Sequence, residues 1–191
     1  MKKIKVERKT KEVQVEVRLN LRGSGKSSID IPIPFLVHML ELLSFHSKID
    51  MEIHAKGDIE VDLHHTVEDV GIALGDAFSK AVKMEEGIAR FGDATVPMDE
   101  SLVTVSLDIS GRGFLKYNVD KKGKIGNFDM ELIETFLQGF AMRGGLTLHV
   151  LLHYGRNKHH IVEGIFKALA VALRRAIFPI RKGVSSTKGI L

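Results

Sequence analysis

Residues 64–82 read HHTVEDVGIALGDAFSKAV, and residues 159–177 read HHIVEGIFKALAVALRRAI. Eight of these 19 positions are identical, among them both histidines and the glutamate. The similarity extends upstream, because residues 12–25 (EVQVEVRLNLRGSG) match residues 100–113 (ESLVTVSLDISGRG). Both upstream segments begin with glutamate and end in a Gly-x-Gly turn. The chain is therefore predicted to contain two copies of one unit.

Each copy combines strands with helices. The upstream segments alternate apolar and polar residues, which predicts strands with one buried face, and apolar residues follow helical spacing after each HHxxE. Each half reads as strand, strand, helix, strand, a further strand or loop, and helix. The predicted fold class is α+β, with two internally duplicated sheet-plus-helices halves packed together. The ranges are strands at 49–54 and 146–154, helices from Pro34, at 129–142 and to about Val82 and Ile177, halves at 1–91 and 92–178, and a tail at 179–191.

Composition restricts the function classes. The chain has no cysteine, so neither disulfides nor thiolate-bound metals are possible. A net charge of +4 suits an anionic partner, but the basic residues are scattered, which favours a solvated surface with a few anion contacts over a nucleic-acid groove. There is neither a run of about 18 apolar residues nor a signal-peptide pattern. We therefore expect a cytoplasmic protein that binds neither nucleic acid nor membrane.

The repeated HHxxE segment predicts metal binding. On a helix, His64 and His65 lie four and three residues from Glu68, so these side chains meet on one face, as do those of the second copy. Two copies offer enough ligands for two ions such as Mn, Fe, Co or Zn, in open sites rather than closed zinc sites. A duplication kept only for its core does not explain why these polar residues recur. The HExxH order of zinc proteases is absent, which disfavours a metallohydrolase.

The other histidines carry weaker signals. His38 has apolar neighbours in its predicted helix, FLVHML, and by itself is more typical of a core residue than of a ligand. His54 and His153 are predicted at the surface. His149 fits either environment.

Several further motifs run from about residue 7 to the carboxyl end. They are RKTKE at 8–12, FLVHMLELLSFH, DLHHTVEDVGIALG, PMDESL, DISGRG, NKHHIVEGIFKALAVALR and the terminal STKG. Together they resemble the imidazoleglycerol-phosphate dehydratase family. The resemblance implies a fold like domain 2 of ribosomal protein S5 and a 24-subunit assembly with active sites between subunits. It implies two Mn²⁺ ions per active site. The implied reaction dehydrates D-erythro-imidazole glycerol phosphate to imidazole acetol phosphate in histidine biosynthesis.

The resemblance also assigns roles to residues. Glu12 is the candidate acid–base group, and Glu68 and Glu163 join it as catalytic carboxylates. The tail is expected to close over the substrate as a lid. The implied metal ligands are His38, His64, His65, Glu68, His159, His160 and Glu163, and the implied substrate-binding residues are His46, Arg90, Arg112, Ser186, Thr187 and Lys188.

Three positions depart from the family pattern. Thr135 stands where many members have a second helical histidine, so the two metal sites are expected to be unequal. Val37 replaces an aspartate before His38, which removes a possible acidic partner for that imidazole. The tail reads SSTKG instead of PSSKG, which keeps a hydroxyl and the lysine.

The implied reaction has a chemical reason to need two cations. The proton that must leave lies beside an imidazole ring and is poorly acidic, so we expect the ring to be held as an imidazolate between two metal ions. Two rival hypotheses remain at this point. A basic nucleic-acid-binding protein would show steep salt dependence, and a metal-dependent phosphohydrolase would release inorganic phosphate.

Overall fold

The computed structural model describes residues 3–85 and 87–180, which form two four-stranded sheets with four helices packed between them. The first sheet contains β1 (Ile4–Lys9), β2 (Val13–Asn20), β3 (Ser27–Asp30) and β4 (Asp50–Gly57). The second contains β5 (Phe91–Met98), β6 (Ser101–Ile109), β7 (Phe114–Asn118) and, after a short hairpin of β8 (Lys124–Ile125) and β9 (Phe128–Asp129), β10 (Leu146–Tyr154). The helices are α1 (Pro34–Ser47), α2 (His64–Val82), α3 (Glu131–Gly144) and α4 (Lys158–Ala176).

The two sheets share one topology. Their strand orders are β1-β2-β4-β3 and β5-β6-β10-β7, so the fourth long strand of each half lies between the second and the third. The β3–β4 and β7–β10 pairs are parallel, and the other pairs within these two sheets are antiparallel. A helix connects the two strands of each parallel pair, as a parallel pair requires. The predicted α+β class with duplicated halves is confirmed.

The alternating strands bury the faces that the sequence predicts. Val15 and Val17 of β2 are fully buried, and so are Val103 and Val105 of β6. The opposite face of the first sheet carries ion pairs, such as Arg18 with Glu52. The apolar faces of both sheets therefore point towards the helices.

The helices pack across the two halves, α1 against α4 and α2 against α3. Glycine makes the second contact close: a Cβ on Gly71 of α2 would overlap the carbonyl oxygen of Phe136 on α3. Gly75 of α2 similarly approaches the carbonyl of Phe140. Close backbone approach of this kind needs glycine, because any side chain would push the helices apart. The result is that the start of each HHxxE helix lies beside a helix of the other half.

The structure corrects the predicted order of elements. The third strand of each half precedes the first helix, which the sequence does not predict. β4 and β10 lead to α2 and α4 through loops, as one of the two predicted alternatives has it. β3 has only four residues, SSID, and its polar residues give no alternation to detect. The halves at 1–91 and 92–178 remain a prediction, with β5 starting at Phe91. Within the described residues, no helix is long and apolar enough to cross a membrane.

Candidate metal and substrate site

Two HHxxE helices begin in the same way. The side chain of Asp62 accepts a hydrogen bond from the backbone N–H of His64 at 2.7 Å. Asn157 likewise accepts one from the N–H of His159 at 3.0 Å. Each polar side chain satisfies an N–H that the helix leaves unpaired. These contacts fix the backbone of the first histidine in both copies.

A three-residue cluster forms where α1 meets α4. One ligand atom from each of His38, His159 and Glu163 lies within 4.8 Å of the other two. His159 Nε2 is 3.3 Å from Glu163 Oε2, and the rings of His38 and His159 are 5.9 Å apart. The expectation that His38 is a core residue is therefore wrong. His38 is only partly buried, and its imidazole shares this cluster with two other groups that can bind a cation.

The carboxylate in this cluster is held in its charged form. Burial opposes ionisation of Glu163, but the hydrogen bond from Lys167 and the positive charge of that lysine lower its pKa. Lys167 Nζ lies 2.7 Å from Glu163 Oε1. An ionised carboxylate beside two imidazoles is ready to accept a cation without first losing a proton.

The donor set fits a divalent transition ion. Two imidazole nitrogens and one carboxylate oxygen are ligands that Mn, Fe, Co and Zn accept. Three protein ligands leave positions open for water, a substrate or a further ligand, as in catalytic rather than structural sites. The cluster therefore suits a metal that takes part in chemistry.

The second copy of this arrangement is incomplete. His38 is the fifth residue of α1, and Thr135 is the fifth residue of α3. Thr135 shares a cavity of about 450 Å³ with His64 and Glu68, so it faces them as His38 faces His159 and Glu163. Its hydroxyl donates to the Glu131 carbonyl at 3.3 Å instead of pointing a ligand into the cavity. Within 3–85 and 87–180, three metal ligands come together only at His38.

The second histidine of each HHxxE segment faces its own sheet. His65 Nδ1 lies 3.1 Å from Asp58 Oδ2 and 3.6 Å from Glu12 Oε2. His160 Nδ1 lies 2.7 Å from Glu100 Oε2. The hydrogen bond with Asp58 raises the pKa of His65, and that with Glu100 raises the pKa of His160. Both imidazoles are thus oriented by a carboxylate at Nδ1.

The arginines assigned to phosphate lie at the far end of the second sheet. Glu100 directly precedes β6, whereas Arg112 follows it and is exposed. Nine residues at about 3.3 Å each make β6 roughly 30 Å long. Arg90 is bound to Asp108 near the same end as Arg112, through Nε–Oδ1 at 2.7 Å and Nη2–Oδ2 at 3.0 Å. The arginines and His160 are therefore far apart within one chain.

His46 occupies the last turn of α1. Burial lowers its pKa, and the positive charges of Lys167 and Lys48 lower it further. Its neutral imidazole can donate or accept a hydrogen bond near pH 7. The predicted substrate residues Ser186, Thr187 and Lys188, with most of the predicted lid, lie outside the described residues.

Comparison with known proteins decides the relationship. The family model described as imidazoleglycerol-phosphate dehydratase matches residues 31–173. The chain belongs to the imidazoleglycerol-phosphate dehydratase family. It is 50% identical to the imidazoleglycerol-phosphate dehydratase of Aliarcobacter butzleri, with 98% of this chain and 100% of that protein aligned. It is 51% identical to the enzyme of a Sulfurovum species over the same shares. The predicted family and the prediction of an enzyme are confirmed.

Solved structures of imidazoleglycerol-phosphate dehydratases share the fold. The Staphylococcus aureus enzyme superposes with a TM-score of 0.86 at 36% identity, covering 94% of this chain and 100% of that one. The Pyrococcus furiosus enzyme, solved in complex with (S)-C348, gives a TM-score of 0.85 at 38% identity, covering 97% and 100%. The duplicated architecture is thus the architecture of this dehydratase family.

Sequence reasoning missed three residues of the site. Glu100 could have been found, because it matches Glu12 in the repeat. Asp58 and Lys167 have no counterpart of the same kind in the other half, so only the structure shows that Asp58 contacts His65 and that Lys167 contacts Glu163. The predicted surface positions of His54 and His153 agree with their exposure, and His149 is exposed as well, against the Phe114 ring.

Proposed function

We propose that the chain dehydrates D-erythro-imidazole glycerol phosphate to imidazole acetol phosphate, a step of histidine biosynthesis. Its relatives are named imidazoleglycerol-phosphate dehydratases, which supports the proposal. The observation that carries the proposal is the cluster of His38, His159 and Glu163 between α1 and α4, with its partial copy at His64 and Glu68. Two cation sites built on one repeat suit a substrate whose ring must be bound from two sides. A cytoplasmic location follows from the pathway and is part of the proposal.

We propose that two Mn²⁺ ions bind each active site. Their ligands are the imidazoles and carboxylates of the two HHxxE segments with His38. When bound, the metals supply positive charge that stabilises negative charge on the substrate's imidazole ring. Thr135 leaves the second site with one protein ligand fewer. The proposed ligands are His38, His64, His65, Glu68, His159, His160 and Glu163.

Glu12 is the proposed group that moves a proton. It directly precedes β2, and its carboxylate is 56% exposed. It lies 3.6 Å from Nδ1 of the proposed ligand His65, close enough to serve a substrate bound beside that ligand. Because its side chain is not held by the backbone as that of Glu100 is, it can turn towards a bound molecule.

Arg112, Arg90 and Lys188 are proposed to bind the phosphate, with Ser186 and Thr187 adding hydroxyl donors. Guanidinium groups bind phosphate with two parallel hydrogen bonds, and lysine adds a point charge. Arg112 is the better placed arginine, since it is exposed, whereas Arg90 already binds Asp108. The tail that contains the lysine is proposed to close over the substrate.

The distances favour an active site shared between copies of the chain. His160 and Arg112 lie at opposite ends of β6, which spans roughly 30 Å. A molecule as small as the proposed substrate cannot reach from one to the other. The phosphate-binding arginines of one subunit and the metal ligands of another therefore complete one site, in an assembly proposed to contain 24 subunits.

The products of the reaction test the proposal. Purified chain supplied with Mn²⁺ is expected to convert imidazole glycerol phosphate to imidazole acetol phosphate without releasing inorganic phosphate. Release of phosphate in place of the ketone would support the phosphohydrolase hypothesis instead. The nucleic-acid hypothesis has less support, because basic residues on the first sheet are paired with carboxylates, as Lys5 is with Glu16 and Arg18 with Glu52.

A further inference from the structure

We propose that Glu100 and Asp58 are positioning residues: Glu100 orients His160, and Asp58 orients His65. In the first half Asp58 thus takes the place that Glu100 has in the second, and Glu12, the equivalent of Glu100, is left to act on the substrate. This inference rests on the proposed function, since it assigns roles around proposed metal ligands. The two halves are not symmetric at this point. Glu12 and Glu100 occupy equivalent places, directly before β2 and β6, yet their surroundings differ.

Both carboxylate oxygens of Glu100 accept hydrogen bonds. Its Oε2 accepts a hydrogen bond from His160 Nδ1 at 2.7 Å. Its Oε1 accepts from the backbone N–H groups of Asn157 at 2.7 Å and Arg156 at 3.1 Å, and from the Ser101 hydroxyl at 3.2 Å. A carboxylate fixed by four donors orients its partner and is not free to turn towards a bound molecule.

Glu12 is loosely held by comparison. Its carboxylate is 56% exposed, against 29% for Glu100, and it approaches His65 only to 3.6 Å. That distance exceeds a hydrogen bond. Asp58 instead takes the Nδ1 of His65, at 3.1 Å, and only 26% of its side chain is exposed. In the first half the orienting carboxylate thus comes from a different element.

A difference in loop length explains why Asp58 orients the histidine in the first half and Glu100 orients it in the second. Gly57 ends β4 against Val13, and Gly155 follows β10 against Ser101, so both glycines lie beside the first residue of the neighbouring strand. Six residues separate the glycine from the first HHxxE histidine in the first half, and three separate them in the second. In the short loop of the second half, the backbone N–H groups of Arg156 and Asn157 donate hydrogen bonds to Glu100. The longer loop brings Asp58 to His65.

The orienting carboxylates select the nitrogen that can bind metal. An ionised carboxylate only accepts, so Nδ1 of His65 and of His160 carries the hydrogen, and Nε2 is left as the lone-pair donor. Nε2 of His160 lies 3.3 Å from the side-chain amide nitrogen of Asn157. Partners of this kind fix ring orientation, and their loss typically lowers metal affinity about 10–100-fold. Loss of Glu100 or Asp58 should therefore lower the affinity for metal, whereas loss of Glu12 should lower the turnover rate.

Manganese binding separates the two roles. Free Mn²⁺ would be titrated by electron paramagnetic resonance against the full-length Glu100→Gln, Asp58→Asn and Glu12→Gln variants, with turnover measured at low and saturating Mn²⁺. We expect the first two to bind Mn²⁺ about 10–100-fold more weakly and to recover turnover as Mn²⁺ is raised. Glu12→Gln should bind Mn²⁺ within about twofold of wild type and stay inactive at saturation. Glu60→Gln, an exposed carboxylate in the same loop as Asp58, is the matched control and should change neither quantity.

Three outcomes overturn the inference: unchanged Mn²⁺ affinity in Glu100→Gln and Asp58→Asn, weakened affinity in Glu12→Gln, or a wild type that does not bind Mn²⁺. If Glu100→Gln fails to fold, Glu100→Asp keeps the charge on a shorter side chain. It should then weaken Mn²⁺ binding less than Asp58→Asn does, and equal weakening would contradict the assignment. A chain that shows the expected affinities but forms no imidazole acetol phosphate would refute the proposed function alone.

Discussion

Replacing Arg90 and Arg112 one at a time should show which of the two proposed phosphate-binding arginines also stabilises the fold. Arg90→Ala removes both hydrogen bonds to Asp108, and the two side chains are only 17% and 20% exposed. Removing one partner costs about 3–5 kcal/mol when the pair is fully buried and about 0–1 kcal/mol when it is exposed, so we expect about 2 kcal/mol here. For a chain of this size that corresponds to a Tm lower by about 4–8 °C. Arg112→Ala, at an exposed position, should change stability by less than about 0.5 kcal/mol.

Thermal melts and steady-state kinetics on the Mn²⁺-loaded protein would test this prediction. Both variants should raise KM for the phosphorylated substrate, but only Arg90→Ala should lower Tm. Asp108→Asn should also lower Tm, and the double variant with Arg90→Ala should lose less than the sum of the two. Equal Tm values for the two arginine variants would refute the structural role of Arg90, and an unchanged KM in Arg112→Ala would remove it from the phosphate site.

Further predictions concern packing, pH and the charge at the metal cluster. Gly71→Ala should destabilise the fold by about 1–3 kcal/mol because its methyl group meets a backbone carbonyl of α3, whereas Gly164→Ala meets movable side chains and should cost less, as denaturant unfolding would show. The lowered pKa of His46 means that the unfolded chain takes up its proton first as pH falls, so stability should drop below about pH 6.5. Melts at pH 7 and pH 5 should show a smaller loss in His46→Gln, and an equal loss would contradict the burial argument. Lys167→Met removes the lysine partner of Glu163 and should lower Tm more in metal-free protein than with Mn²⁺ bound, while Lys80→Met, an exposed control on α2, should show no such difference.

The sequence predicted those parts of the fold that repeat a regular pattern. Alternation in β2 and β6 identified both buried faces, and helical spacing located α2 and α4 to within a few residues. β3 and the β8–β9 hairpin escaped, because strands of two to four polar-rich residues carry no periodicity. The pairing of β3 also depends on β4, a partner distant in sequence that the local pattern does not reveal.

In the site too, the sequence predicts contacts within one helix but not contacts between elements that are distant in the chain. HHxxE spacing alone indicated which side chains share a helix face. By itself the apolar setting of His38 pointed to the core, since sequence does not show that α1 crosses α4 beside His159. Asp58 and Lys167 reach the site only through the tertiary fold. Thr135 was recognised as unusual from the sequence, and the structure adds that it faces His64 and Glu68 across a cavity.

The dependence of turnover on bound metal tests the central claim most directly. The purified chain would be stripped by exhaustive chelation, and Mn²⁺ would be returned in steps while bound metal and formation of imidazole acetol phosphate are followed in the same sample. Activity should fall to background on stripping and return in proportion to the Mn²⁺ bound. Undiminished dehydration by the stripped protein would contradict the assignment of the doubled histidine–glutamate clusters as its catalytic metal sites.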